Sequence, residues 1–286
     1  MATLGTNVNT TTNTGYRPTV VSEFVIRART GEFVMKDLVL NRSQDVLDYG
    51  QAITINTSTV SVAQDKTINT EITVGAPTET TKTITINKYK VAAEVVEDAI
   101  NAQSKINLFK EKRWAIGRGL AQVIDADILA LVANLSDNAA EGTGASGAQL
   151  GKTAILNAIR KLDDNNVPQD NRHYVMTPNQ KNGLLGNSDF TLASSINFLK
   201  SDSPLVSGEF SIPIFGLRLH STTNIYTALG VKYNCIFQKE CLAVAMQIDP
   251  KYKENYLPTY GGTLCAAWAL YGVGEIRDNH GVRMLE

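Results

Sequence analysis

Between residues 88 and 135 the chain reads Lys88-Tyr89-Lys90-Val91-Ala92-Ala93-Glu94-Val95-Val96-Glu97-Asp98, passes through Asn107-Leu108-Phe109, and continues Gly119-Leu120-Ala121-Gln122-Val123-Ile124-Asp125-Ala126-Asp127-Ile128-Leu129. From Ile116 onward the apolar residues are Ile116, Leu120, Val123, Ile124, Ile128, Leu131 and Leu135. Steps of three and four put them on one face of a helix. No proline falls between Pro77 and Pro168. The spacing predicts a long helix within residues 92–135, and some twenty helical residues make a rod of roughly 30 Å. Gly117 and Gly119 each cost it about 1 kcal/mol relative to Ala and suggest a bend or a close backbone approach. Asp125 and Asp127, two apart, cannot share a face, so one of them is expected to point to solvent.

Upstream, residues 51–91 alternate. Ile53/Ile55, Val60/Val62, Ile72/Val74 and Ile84/Ile86 are apolar pairs two apart with Thr, Asn and Ser between them, the pattern of strands with one wet face. A polar tip, Gln64 to Asn69, lies between the arms. This hairpin is thin in apolar residues, and a lone two-stranded hairpin is marginal in water. It is expected to lie on another surface. Residues 1–20 are polar and aperiodic, an arm without a core of its own. Residues 21–50 hold the amphipathic piece Glu23–Arg27 and a short mixed element, Phe33–Leu40.

Downstream, Thr153–Leu162 reads as a helix, His173–Met176 as a buried strand, and Asn179–Leu185 as a short helix with Pro178 in its first turn. Residues 186–210 are a long irregular stretch. Cys235–Gln238 and Leu242–Ala245 read as strands, residues 249–262 as a loop, and Thr263–Arg277 as a nearly continuous apolar strand. A turn at Arg277–Gly281 follows. The fold class is α+β.

The bulk numbers narrow the function. The 286 residues suffice for one large domain or two smaller ones. A net charge of -1 argues against a surface built to grip nucleic acid tightly. The three cysteines, Cys235, Cys241 and Cys265, are an odd number in apolar company and read as buried thiols. The first fifteen residues do not read as a secretory signal, and no run is apolar enough to span a membrane.

Little catalytic chemistry is visible. Gly151-Lys152-Thr153 imitates the end of a phosphate-binding loop, but the required first glycine falls on Ser146 and a helix, not a strand, precedes it. Gly272-Val273-Gly274 lacks the third glycine of a dinucleotide fingerprint. His173, His220 and His280 lie far apart without ligand spacing and read as structural. No catalytic residue, cofactor site or metal site is assigned, and the chain reads as a non-enzyme that works through its surfaces.

The order of polar arm, extended hairpin, long helix, small α/β unit and closing strands resembles the major capsid protein of tailed bacteriophages, the HK97-like capsid fold. Ile86–Val95 resembles the return strand of the family's extended loop. Ala121–Asp125 resembles its spine helix, Val167-Pro168 through Met176-Thr177-Pro178 the core of its axial domain, and Tyr271–Arg277 its final strand. The resemblance implies a partition: residues 1–50 the N-terminal arm and start of the peripheral domain, 51–91 the extended loop over a neighbouring subunit, 92–149 the peripheral domain with its spine helix, 150–245 the axial domain around five- and six-fold axes, and 246–286 peripheral strands.

It also implies a coat protein of an icosahedral shell around double-stranded DNA, located in the virion and assembled in the host cytoplasm. The implied partners are the chain itself in pentamers and hexamers, a scaffolding protein, a portal, and packaged DNA bound without sequence specificity; no membrane is involved. The family's long charged leader is not visible here, which implies a separate scaffold or a leader already removed. Assembly contacts are expected at Asp65, Lys66 and Asn69 on the loop tip, at Phe198 and Lys200 near an axis, and at Lys251, Tyr252 and Tyr256 near three-fold positions. Alternatives are a nanocompartment shell of encapsulin-like fold, a P-loop-like nucleotide enzyme, and a β-rich surface or adhesion protein.

Overall fold

The alternation that begins at residue 51 runs further than expected. In the computed structural model, which describes residues 35–46, 50–58, 63–72, 79–104, 107–136, 150–186 and 213–286, strand β4 spans Lys88–Glu97. Residues 92–97, expected to open the long helix, are therefore strand. The reason is tertiary: β4 pairs residue for residue with β10 (Gly262–Glu275) from Tyr271↔Lys88 to Gly262↔Glu97. Its β-branched valines suit a pleated surface.

After the short helix α2 (Asp98–Gln103), the long helix α3 spans Leu108–Leu129. The Asn107 side chain caps it, accepting from the Lys110 N–H at 3.1 Å. Its 22 residues make a rod of about 33 Å. Ile116, Leu120, Ile124, Ile128 and Leu129 are buried, and a 3-10 turn at Ala130–Asn134 continues the stripe through Val132 and Leu135. Val123 is an exception at 39% exposure. Gly117 and Gly119 mark no close approach: the helix runs through both, and a Cβ at either would meet nothing within 4 Å.

Both helix aspartates are engaged, contrary to expectation. Asp125 is buried and accepts from the Met35 N–H at 2.8 Å, tying helix α1 (Met35–Leu38) to α3. Asp127 accepts from the Tyr271 hydroxyl at 2.6 Å and pairs with Lys88 at 3.0 Å and Lys90 at 3.8 Å. Burial pushes the Asp127 carboxyl up, but the Tyr271 and Lys88 hydrogen bonds and the two lysine charges together leave it below its usual value.

α3 covers one face of a four-stranded sheet ordered β1-β9-β10-β4, with β1 (Leu40–Asn41) parallel to β9 (Leu242–Leu257) and the other pairs antiparallel. Residues 249–257, expected as a loop, complete β9, and only Pro258–Tyr260 turns. Charged residues disguise the period here. Pro250 sits at the register shift between Lys251↔Trp268 and Ile248↔Leu270, where an irregular pair tolerates a residue without an N–H.

The opposite face carries the hairpin of β2 (Ala52–Ser58) and β3 (Glu79–Thr85), in register from Ala52↔Thr85 to Ser58↔Glu79. Among the described residues it is anchored through its root and lower strands, where Lys82 also lies 3.9 Å from Glu275. Ile53 and Ile86 pack with Val46 and Ala245, and Ile84 packs with Ala243 and Ile276. Gly272 and Gly274 make room for it. A Cβ at Gly272 would lie 2.5 Å from the Thr85 carbonyl oxygen, and one at Gly274 2.9 Å from the Ile84 side chain. These two glycines serve close packing, not dinucleotide binding.

The second sheet is ordered β11-β8-β5-β6, with β7 (Thr227–Ala228) beside β8 (Val231–Gln238). β5 (Arg172–Met176) is buried along its whole length. Helices α4 (Lys152–Asp164) and α5 (Pro178–Gly186) pack on one face through Ala154, Ile155, Ala158, Leu162 and Leu184. The other face, through Val175, Cys235 and Phe237, shares a core with α3 and the first sheet.

Two segments change sheets against the sequence reading. Leu242–Ala245, grouped with the axial unit, begins β9. Residues 281–285, grouped with the peripheral strands, form β11 (Gly281–Leu285) and pair with β8. The crossing happens at Cys241, whose N–H bonds the Gln238 carbonyl at 2.8 Å, and no local pattern encodes it. Val60, Val62, Val74, Glu23–Arg27, residues 1–20 and 186–210 lie wholly or largely outside the described residues.

Candidate assembly surfaces

β4 is an edge strand whose side chains divide cleanly. Lys88, Lys90, Ala92, Glu94 and Val96 turn towards α3. Tyr89, Val91, Ala93 and Val95 turn outward and are exposed, Tyr89 at 64% and Val91 at 63%. Their register partners on β10, in the same order, are Leu270, Trp268, Ala266 and Leu264. Directly opposed residues share a face, so tyrosine, valine, leucine and tryptophan side chains form one continuous outward apolar surface. The hairpin root covers the Gly272–Gly274 end of this face; the Tyr89–Val95 end is bare. Lys251 and Lys253 on β9 border it, with the Lys253 Nζ 5.7 Å from the centre of the Trp268 ring. An exposed apolar sheet face of this kind marks an interaction site.

The hairpin supplies a second surface. Beyond the Ser58↔Glu79 pair, every described residue from 63 to 72 is exposed. Ile68 is 95% and Ile72 65% exposed. A turn closed by Thr70 on the Thr67 carbonyl holds Asn69 at a φ of 70°.

The residues singled out from sequence fall in different places. Asp65, Lys66 and Asn69 are together on this exposed segment, and Lys251 is exposed on the outward face beside Trp268. Tyr252 turns inward. Its ring packs against the α3 core under the Arg113 guanidinium at 4.7 Å, and its hydroxyl donates to Glu254 at 2.8 Å. The Tyr256 hydroxyl donates to Asp98 at 3.0 Å within the same chain. Phe198 and Lys200 lie outside the described residues. Sequence reading missed Tyr89, Val91, Val95, Leu264 and Trp268. The signal is present as strict alternation over 88–97, but residues 88–91 read as the end of the hairpin region and 92–97 as helix, so the strand's outward face is not seen whole.

Groups that suggested chemistry have structural surroundings. Gly151 is the N-cap of α4 and Lys152 its first residue, and no described strand leads into them. Burial pushes the Cys235 thiol up to about 12 and the Cys241 thiol well above its usual value, so neither is poised as a nucleophile. All three cysteines are buried and free, as read from sequence. Among the described residues no group of three or more His, Cys, Asp or Glu could hold a metal ion, and no described helix is long and apolar enough to cross a membrane. The histidines are not all separate, however: His173 and His220 meet at 3.2 Å.

Neither models of known protein families nor curated proteins match the sequence. Solved structures do. The Mycobacterium phage Che8 structure aligns with a TM-score of 0.76 at 19% identity, covering 94% of this chain and 97% of that one. The acidic stable capsid structure of Helicobacter pylori bacteriophage KHP30 gives 0.76 at 11% identity over 99% of both chains. The chain has the phage capsid fold. The cyanophage P-SCSP1u capsid agrees, with a TM-score of 0.75 at 16% identity, covering 94% of this chain and 93% of that one.

The HK97-like, α+β reading of the sequence therefore holds, although the long helix starts at residue 108 and not at 92. The nucleotide-enzyme reading finds no support in the capsid fold.

Proposed function

We propose that the chain is a major capsid protein that self-assembles into an icosahedral shell enclosing double-stranded DNA. One observation carries this beyond the fold: the chain has both halves of an unfilled contact. Its outer sheet face is apolar and half bare, and its hairpin carries Ile68 and Ile72 out beyond the body that anchors it. A like copy satisfies both. The two surfaces differ from one another, so the contact is head-to-tail, and such contacts close into rings when the rotation permits. Pentamers and hexamers are the rings an icosahedral shell requires.

In this reading the hairpin is the extended loop. The four-stranded sheet with α3 is the peripheral unit, and the five-stranded sheet with α4 and α5 is the axial unit. Asp65, Lys66, Asn69 and Lys251 lie at contacts between copies. A scaffolding protein and a portal are further partners, assembly takes place in the host cytoplasm, and DNA is enclosed without sequence readout. The near-neutral charge suits a container, because a strongly basic lining would hold its contents by many salt-sensitive phosphate contacts.

The test is assembly of purified protein, followed by electron microscopy and sedimentation. The wild type gives closed shells. Val91→Glu with Val95→Glu, or replacement of residues 59–78 by a short turn, leaves a folded protein that builds none. Normal shells from both variants overturn the proposal. In particles isolated from the cells that make them, nuclease-protected DNA supports a genome container, and enzyme in place of DNA assigns the chain to the nanocompartments.

A further inference from the structure

Among the described residues β6 (Arg218–Ser221) is an edge strand, held by β5 alone over four parallel register pairs from His173↔Arg218 to Met176↔Ser221. The chain beyond it turns at once to the long helix. The Thr222 N–H bonds the Met176 carbonyl at 3.0 Å, and the Asn224 amide donates to the Gln122 carbonyl of α3 at 3.1 Å. β6 thus leads into one link between the five-stranded sheet and α3, beside the core they share through Val175, Cys235 and Phe237.

Two imidazoles clasp β6 to β5. His173 and Val175 alternate with Tyr174, and Val175 is the register partner of His220, so both rings emerge on the face turned towards α3. The His173 Nδ1 lies 3.2 Å from the His220 Nε2, with ring centres 5.3 Å apart. His173 is buried, flanked on its other side by the Phe237 ring, and His220 is half-buried.

A hydrogen bond between two imidazole nitrogens needs an N–H on one side and a bare nitrogen on the other. One added proton makes a charged donor and keeps the bond. A second removes the last bare nitrogen and sets two cations against each other at contact distance. The charged neighbours do not compensate. Arg218 on β6 acts on both rings and Lys239, just past β8, on His173, and no described carboxylate contributes to either.

We infer that His173 and His220 form an acid-operated latch: neutral or singly protonated they hold β6 to β5, and doubly protonated they push it away and free its link to α3. This inference goes beyond shell assembly and does not rest on it. Burial first, then His220, Arg218 and Lys239, brings His173 from 6.5 down to about 4, and burial and Arg218 also lower His220. In the unfolded chain both rings titrate near the ordinary 6.5. The latch therefore stabilises fully above that value, and its contribution is lost as pH falls towards about 4.

The test is amide hydrogen exchange by mass spectrometry on the full chain with EDTA present, corrected for intrinsic exchange, from about pH 7 to about pH 4. Wild-type amides of residues 218–222 should lose about tenfold more protection than those of β8. His220→Gln keeps a neutral acceptor for His173 and cannot be doubly charged at this contact, so the selective loss should disappear. His173→Gln should do the same and serves if the first variant does not fold. Equal selective loss in wild type and variants, or none in the wild type at about pH 4, overturns the latch.

Discussion

Replacing Glu286 by glutamine removes a carboxylate that the fold has buried completely and surrounded with donors. Its side chain is 0% exposed. It accepts from the Thr177 hydroxyl at 2.5 Å, the Asn179 amide at 2.9 Å and the Asn234 amide at 3.2 Å, and Lys232 Nζ lies 3.4 Å away. The main chain closes the arrangement, with Glu286 and Lys232 exchanging N–H···O bonds at 2.9 and 3.0 Å.

Burial alone would raise the carboxyl, but the hydrogen bonds from Thr177, Asn179 and Asn234 outweigh it and bring it from 4.5 down to about 2. At about 1.4 kcal/mol per pH unit, that drop corresponds to about 3 kcal/mol of folding stability. The native state resists protonation more than the unfolded chain does. The contribution is therefore whole above about 4.5 and is lost as pH falls towards about 2. Glu286→Gln is expected to cost about 3 kcal/mol at neutral pH, because an amide turns an N–H₂ towards donors that need an acceptor. The gap to wild type should narrow steadily below about pH 5. Urea titrations at several pH values, followed by the fluorescence of Trp114 and Trp268, measure both quantities. A neutral-pH gap under about 0.5 kcal/mol, or one that does not depend on pH, would refute the reasoning.

Other expectations are simpler. Leu120→Ala should cost about 2–5 kcal/mol by denaturant titration, since Leu120 is 2% exposed in the α3 core; an effect near zero would put that face in solvent. Tyr174→Phe should be neutral or stabilising by up to about 1 kcal/mol, because the hydroxyl is buried without a partner among the described residues. A clear loss of melting temperature would reveal a bond there. Gly272→Ala should destabilise the chain by about 2 kcal/mol or more, because the new methyl meets Thr85 backbone and not a yielding side chain. Faster proteolysis within residues 59–78 should accompany it, and unaltered proteolysis and stability would deny that the hairpin root rests there.

Much of the architecture could be read one residue at a time. The stripe from Ile116 to Leu135, the buried strand at 173–176, the apolar run after Thr263, the free thiols and the thin hairpin each carry their burial in their own spacing. Elements went astray where charge or length masked the period. In β9, Lys251, Lys253 and Glu254 made a strand look like a loop. In β4, the second half of the strand, residues 92–97, runs straight on towards a helix and reads as its beginning.

Local sequence determined which faces of this chain avoid water, because side-chain period and backbone geometry are set within a few residues. It could not determine what each face meets. Leu242 leaving one sheet for the other, Gly272 admitting Thr85, Glu286 closing on Thr177, and His173 finding His220 all join residues far apart in the chain. Those pairings are decided by which surfaces can be buried together at least cost in free energy, a property of the folded whole that no single stretch holds.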